Sequence, residues 1–291
     1  MNTFQIAEPV SIEEVVQLLD NGEEIVRPIS GGTALVLLLK SGLFQPDRLI
    51  SLRRVNGLTG IEQANGELHV GAMTTLSRLG QSAEVQELFP VICRTLVKLS
   101  NLQVRNLATI GGHLAHGDPH MDLPPVLLTL NARIEVAGLN GTHWMPLDEL
   151  FEGYYETSLS ADEIITRVAI PVPSADSAAT YEKFTALSAD DWPAVGIAVS
   201  ATHSNRHLAG VRLAVGAVTD RPLLISKVED ALINQPLTDA LIEDAADLVA
   251  SEVEPLGDVR GSSEYKREMV RVHTRRALLS VRSSFTRGDT Q

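Results

Sequence analysis

The pattern of the chain changes once, and that change most limits how it can fold. Up to residue 172, short apolar runs of strand type alternate with amphipathic helical stretches. Then comes Pro173-Ser-Ala-Asp-Ser-Ala-Ala179, which is small, polar and without periodicity. Beyond it Val195, Ile197 and Val199 alternate with small residues, and so do Val211, Leu213, Val215 and Ala217. Period-two runs of this kind mark antiparallel strands. The pattern predicts two domains, residues 1–175 and 176–291, with the first subdivided at about residue 55. A chain of 291 residues is long enough to bury more than one core.

Within the first part, Ser11-Ile-Glu-Glu14 is a capping box that opens a short helix, with Gly22 placed to close it. Residues 24–29 predict a strand, Ser30-Gly31-Gly32-Thr33 a turn, 34–40 a helix and 48–52 another strand, a βαβ unit with glycines at its corner. Asn65-Gly66 predicts a hairpin between 58–63 and 67–72. Residues 90–105 read as a helix through Ile92, Leu96, Leu99 and Leu102, and 109–122 as a polar loop. An apolar helix starts at Pro124-Pro125, and strands follow at 132–136 and 163–172. After the linker, a turn at 203–206 joins two strands. Helices then cover 226–233, 238–253 and, rich in arginine, 263–282.

Composition excludes several classes. A single cysteine, Cys93, rules out a disulfide framework, an all-cysteine zinc site and an iron–sulfur cluster held by this chain alone. With 37 acidic against 24 basic residues the net charge is −13, the opposite of a nucleic-acid-binding footprint. No apolar run approaches the length of a membrane span, and the start lacks the secretory pattern, so a cytoplasmic protein with no membrane span is expected. Residues 256–291 carry a net +4, a candidate docking surface or else a solvated helix face.

Two glycine pairs carry the candidate chemistry. Ser30-Gly31-Gly32-Thr33 joins a strand to a helix, and Thr109-Ile110-Gly111-Gly112-His113 follows a helix end. Either is a tight connection or a cradle in which backbone amides approach a phosphate. Neither is Gly-x-Gly-x-x-Gly, so the Rossmann fingerprint is absent. The second loop also gathers His113, His116, His120, Asp118 and Asp122, a metal-ligand composition on a segment whose glycines and proline predict a loop rather than one helix face.

Taken together, Ile29-Ser-Gly-Gly-Thr33 and Thr109-Ile-Gly-Gly-His-Leu-Ala-His-Gly-Asp-Pro-His-Met-Asp-Leu-Pro124 resemble the FAD-binding medium subunit of the molybdenum hydroxylases, the xanthine dehydrogenase and aerobic carbon monoxide dehydrogenase type. Further segments match in order: Leu49-Ile-Ser-Leu52, Val70-Gly-Ala-Met-Thr-Thr75, Gln103-Val-Arg-Asn106, Tyr181-Glu-Lys183, Leu213-Ala-Val-Gly-Ala217 and Asp258-Val-Arg-Gly-Ser-Ser-Glu-Tyr265. The resemblance covers nearly the whole chain.

It implies an α+β fold: a two-part FAD-binding domain of the PCMH type, with a small βαβ subdomain and a mixed-sheet subdomain. A smaller α+β C-terminal domain with an antiparallel sheet and helices follows. It implies that Pro28, Ile29, Ser30, Gly31, Gly32, Thr33, Ala34 and Leu35 wrap the FAD pyrophosphate. Thr109, Ile110, Gly111, Gly112 and His113 would add backbone and hydroxyl contacts, Asp122 would accept from flavin-side hydroxyls, Ile165 would pack near the isoalloxazine, and Lys183 would lie near the flavin ring. Read without the family, Asp122 is a helix N-cap, Ile165 a core residue and Lys183 a surface charge. The family usually has Asn where this chain has His113. On the resemblance the histidines belong to a flavin loop, and no metal site is expected.

The implied function is an oxidoreductase subunit that takes electrons from a small [2Fe–2S] subunit and passes them from FAD to an external acceptor. A large molybdopterin-binding subunit would hold the organic substrate, in a dimer of heterotrimers. Two rivals stand beside it: a stand-alone FAD-dependent oxidoreductase of the related superfamily, and a scaffold subunit without cofactor.

Overall fold

The computed structural model describes residues 3–288 except Asn21, Glu23, Ala189, Asp190 and Arg206. The chain opens with β1 (Gln5–Ala7), α1 (Ile12–Leu19), β2 (Val26–Ile29), α2 (Leu35–Ser41) and β3 (Arg48–Ser51). Ser11 caps α1, its Oγ accepting from the Glu14 amide at 3.2 Å. Glu14 Oε2 reaches back one residue beyond the N-cap to accept from the Val10 amide at 2.8 Å, a variant of the expected capping box. The three strands pair in parallel in the order β1-β3-β2, with Val15, Leu19 and Ile50 buried beneath them. Parallel neighbours need a crossover, which α2 supplies between β2 and β3, so its N-terminal turn falls at the end of β2.

The second part contains β4 (Ile61–Ala64), β5 (Glu67–Gly71), α3 (Leu76–Gln81), α4 (Ala83–Leu88), α5 (Pro90–Lys98), α6 (Leu102–Leu107), α7 (Ile110–Ala115), α8 (Leu123–Thr129), β6 (Arg133–Gly138), β7 (Gly141–Pro146), β8 (Phe151–Gly153), β9 (Glu156–Thr157) and β10 (Ile164–Pro171). Its main sheet has the order β4-β5-β10-β6-β7. Every pairing in that sheet is antiparallel, where a mixed sheet was expected. Two tight hairpins supply the outer strands, and β10 runs between them against both neighbours. Asn65 and Gly66 both take positive φ, +52° and +79°, as a two-residue hairpin turn requires.

The helix expected over 90–105 is two helices. Ser100 adopts φ +50° and Asn101 caps α6 by accepting from the Val104 amide at 2.9 Å. The loop expected over 109–122 contains α7. Val104 and Leu99 still reach the common core, so the apolar spacing was right and the continuity was not.

The last part holds β11 (Ser177–Phe184), β12 (Val195–Ser204), β13 (His207–Gly216), β14 (Leu223–Leu224), α9 (Ser226–Leu232), α10 (Asp239–Glu252) and α11 (Ser263–Gly288). Its sheet runs β11-β12-β13-β14, antiparallel throughout. Asn205 turns the β12–β13 hairpin with φ +50°, and Arg206 of that expected turn lies outside the described residues. The expected linker is shorter than its composition suggested, because Ser177, Ala178 and Ala179 pair with Thr202, Ala201 and Ser200 as the start of β11. The large core cluster extends across the connector: Tyr181, Ala198 and Ala214 belong to the same buried group as Leu123, Leu127 and Ile165. Among the described residues no helix is long and apolar enough to cross a membrane.

Candidate functional site

The first glycine pair sits in the turn between β2 and α2. Gly32 has φ +69°, a conformation that suits glycine. A β-carbon on Gly31 would fall on the Leu107 carbonyl oxygen, well inside contact distance. The turn is closed from within by its carbonyls: the Val36 amide donates to Gly32 O and the Leu37 amide to Ala34 O, each at 3.0 Å. The amides of Gly31, Gly32, Thr33 and Ala34 have no acceptor among the described residues. Four unsatisfied N–H groups at a helix start are the ordinary makings of an anion site. Pro28 and Ile29 end β2 behind the turn, Ser30 opens it, Ala34 takes the N-cap position, and Leu35 begins α2.

The second pair lies against the first. Thr109 caps α7, its hydroxyl accepting from the Gly112 amide at 3.2 Å. The Ile110 amide donates to Thr74 O at 3.0 Å, Gly111 to Ala72 O at 2.9 Å, and His113 to Thr109 O at 2.9 Å. Each amide carries one proton, and in residues 110–113 all are engaged. The Ile110 and Gly111 amides hold the loop to residues 72–74, and the Gly112 and His113 amides close the first turn of α7 on Thr109. A β-carbon on Gly111 would lie 2.5 Å from Ala72 Cβ, and one on Gly112 would overlap Ser30 Oγ. The glycines let α7, residues 72–74 and the first loop close on one another.

His113 is buried beside this junction, and its Nε2 has no partner. Burial, reinforced by neighbouring His116, pulls its pKa down to about 4, so the ring is neutral at pH 7. An orphaned polar atom in a native interior calls for a partner, and a cofactor would supply one.

Asp122, Tyr181 and Lys183 form a hub. Tyr181 Oη donates to Asp122 Oδ1 at 2.8 Å, and Lys183 Nζ to Asp122 Oδ2 at 3.1 Å. Lys183 Nζ also donates to the Lys98 carbonyl at 2.8 Å. Asp122 was expected to accept from flavin hydroxyls and Lys183 to face the ring; both side chains are about 3–4 % exposed and bonded to each other. Burial raises the Asp122 carboxyl above its ordinary value, with Lys183 and Tyr181 pulling the other way. Burial and the facing carboxylate push the Tyr181 hydroxyl well up. Asp122 does stand at the N-cap position of α8, yet its side chain makes no capping bond. Ile165, on β10, is a buried core residue.

A second node went unnoticed in the sequence. His120 Nδ1 lies 3.0 Å from Asp118 Oδ1, and His120 Nε2 lies 3.5 Å from Asp258 Oδ2. Asp258 in turn faces buried Lys266 at 3.0 Å. Asp258-Val-Arg-Gly-Ser-Ser-Glu-Tyr265 is thus pinned beside the 116–122 loop. The histidines of that loop point to different partners, and among the described residues no cluster of His, Cys, Asp or Glu is arranged to hold a metal ion.

Three arginines of the basic C-terminal helix are paired within its own domain. Arg271 pairs with Glu268 and Asp247, Arg275 with Glu243, and Arg282 with Asp239, so α10 supplies most of the counter-charge for α11.

The geometry fits FAD: two fused glycine turns that tolerate no added carbon, four free amides at one of them, and a neutral, unpartnered ring nitrogen beside them. Comparison with known proteins agrees. Residues 2–173 match the FAD binding domain in molybdopterin dehydrogenase, and residues 179–281 the CO dehydrogenase flavoprotein C-terminal domain. The nicotine 6-hydroxylase medium subunit of Paenarthrobacter nicotinovorans is 34% identical over 96% of this chain and 97% of its own. The glyceraldehyde dehydrogenase medium chain of Sulfolobus acidocaldarius is 30% identical over 96% and 98%. Among solved structures, carbon monoxide dehydrogenase from Hydrogenophaga pseudoflava superposes with a TM-score of 0.94 at 31% identity, covering 96% of this chain and 97% of that one. Quinoline 2-oxidoreductase from Pseudomonas putida gives a TM-score of 0.91 at 30% identity, covering 98% of both. With a packed glycine cradle and full-length likeness to such subunits, the chain belongs to the family of FAD-binding medium subunits of the molybdenum hydroxylases, an oxidoreductase family.

Proposed function

We propose that this chain receives electrons at FAD from a small [2Fe–2S] subunit and delivers them to an external acceptor, while a large molybdopterin-binding subunit oxidises the organic substrate. The complex is read as a cytoplasmic dimer of heterotrimers. The proposed domain boundary between residues 175 and 176 is supported by the connector from β10 to β11, which spans it.

The observation that carries the reading is the set of free amides from Gly31 to Ala34 in a turn without a basic side chain. Backbone N–H groups and the start of α2 would hold a diphosphate there. When bound, FAD supplies the redox chemistry, taking up electrons singly and releasing them singly or in pairs. Around it the chain contributes a neutral His113, the closed wall of residues 109–113, and an Asp122–Lys183 pair that fixes a buried charge arrangement. One cysteine cannot ligate a cluster, which supports a donor on another chain. Relatives named for glyceraldehyde, nicotine, carbon monoxide and quinoline share this fold, which supports placing substrate choice on a different subunit.

The test is anaerobic stopped-flow mixing of the FAD-loaded chain with its dithionite-reduced [2Fe–2S] subunit. Bleaching of the flavin band as the cluster reoxidises is the expected result. Turnover of an alcohol or amine by the isolated chain would instead support the stand-alone enzyme, and a purified chain that takes up no FAD would support the scaffold.

A further inference from the structure

Residues 88–117 contain Arg94, Lys98 and Arg105 and no acidic residue, in a chain with 37 carboxylates and a charge of −13. They form α5, α6 and α7, the helices bordering the glycine cradle. None of the three cations makes an ion pair among the described residues. Arg94 donates to the Ala179 carbonyl at 3.1 Å, and Arg105 to the Leu99 and Ser100 carbonyls at 2.9 and 2.6 Å. These neutral acceptors fix the guanidinium groups and leave their charges uncompensated. Three arginines of α11 differ, since Arg271, Arg275 and Arg282 each face a carboxylate.

Large apolar side chains stand among those cations: Val97 is 73 % exposed, Leu102 54 % and Leu107 60 %. The same segment touches the site at two points. The Lys98 carbonyl accepts from Lys183, and the Leu107 carbonyl is the group that Gly31 packs against. Apolar residues with a charged rim are the composition of a protein interface, where the charges steer the encounter and the apolar centre excludes water. Electron transfer also demands that a donor dock close to the acceptor, because tunnelling weakens steeply with distance.

We propose that the surface formed by the end of α5 and by α6 is the docking face for the electron donor, an iron–sulfur protein presenting an acidic rim around an apolar centre. Charge complementarity selects that occupant: Arg94 and Arg105, held by neutral carbonyls, and the exposed Lys98 beside them repel cationic partners and favour a carboxylate-rich one. The proposal rests on the reading above that the donor is an iron–sulfur protein. It favours this face over the basic C-terminal helix, the other candidate docking surface.

The test uses the FAD-loaded full-length chain and its own [2Fe–2S] subunit. A Val97→Glu/Leu102→Glu variant puts two like charges into the patch at exposed positions without touching the glycine turns or the Asp122 hub. Lys98→Gln is the milder second variant, and Arg271→Glu/Arg275→Glu on α11 the control. For Val97→Glu/Leu102→Glu, affinity and the second-order rate of flavin reduction by the reduced subunit should fall about tenfold or more at low salt. Lys98→Gln should show a smaller fall that fades at high salt. For Val97→Glu/Leu102→Glu, FAD content, melting temperature and direct reduction by dithionite should match wild type, and the α11 control should retain affinity. Wild-type affinity and rate in a correctly loaded Val97→Glu/Leu102→Glu variant would overturn the docking face. If the wild-type chain itself draws no electrons from the reduced subunit, the functional reading fails first and takes this proposal with it.

Discussion

In the turn at residues 31–34 four backbone amides face no acceptor among the described residues, whereas at 110–113 every amide is bonded to the chain itself. The two segments share a Gly-Gly pair, and their glycines serve the same steric end, since Gly31 clears the Leu107 carbonyl and Gly112 clears Ser30. What separates them is where the donors go. A glycine pair marks close approach, and only the hydrogen-bond accounting shows whether the approach is to a ligand or to another part of the chain. The first turn leaves its donors open, and the second spends its own on bracing the chain.

That contrast can be broken or sharpened by substitution. The largest effect is expected behind the second loop. Asp122→Asn would leave Lys183 buried without its counter-charge, at a cost of about 3–5 kcal/mol. Urea unfolding should show the loss in the apoprotein, before any question of FAD affinity. Unchanged stability would mean the hub is not a brace.

Gly31→Ala comes next. Its β-carbon meets backbone, which cannot swing aside, so a cost of about 3 kcal/mol is expected together with loss of bound FAD, read from the ratio of flavin to protein absorbance. Gly112→Ala meets the Ser30 hydroxyl instead, and Ser30→Ala removes that obstacle. A double-mutant cycle should return a favourable coupling of about 1–2 kcal/mol, and a coupling of zero would show that the loops are not in contact.

His113 gives the contrast a pH dependence. Its folded pKa is lowered to about 4, so between that value and the ordinary 6.5 the unfolded chain binds more protons. Stability is then fully present above pH 6.5 and is lost as the pH falls through this window, by roughly 3 kcal/mol at most. His273, also held down to about 4 by burial, acts in the same direction. His113→Asn should therefore flatten part of the acid limb of the stability curve and not all of it. Thr109→Ala, which removes the α7 cap, should have the smallest effect, about 1 kcal/mol in thermal unfolding with FAD still bound.

Local chemistry was legible in the sequence. The Ser11 capping box, the Asn65-Gly66 hairpin and the strand–turn–helix corner at Gly31-Gly32 all depend on residues within a few positions of one another. The break at Ser100 was not legible, because the apolar spacing of 92–102 continues through it while the backbone does not. The Asp122 hub joins residues 59 and 61 positions apart. The Tyr181-Glu-Lys183 spacing places two side chains on one face of a strand, but it does not say what that face meets. The pairing of the α11 charges was not legible for the same reason, since their counter-ions lie on α10. Ser30 meeting Gly112 likewise needs the tertiary fold.

The division of labour between the glycine turns is tested most directly by hydrogen exchange of individual amides in the apoprotein and after FAD is added. The amides of Gly31, Gly32, Thr33 and Ala34 should exchange rapidly without FAD and become protected with it, while those of residues 110–113 should be protected in both states. FAD-dependent protection confined to 110–113, with 31–34 unchanged, would contradict the account.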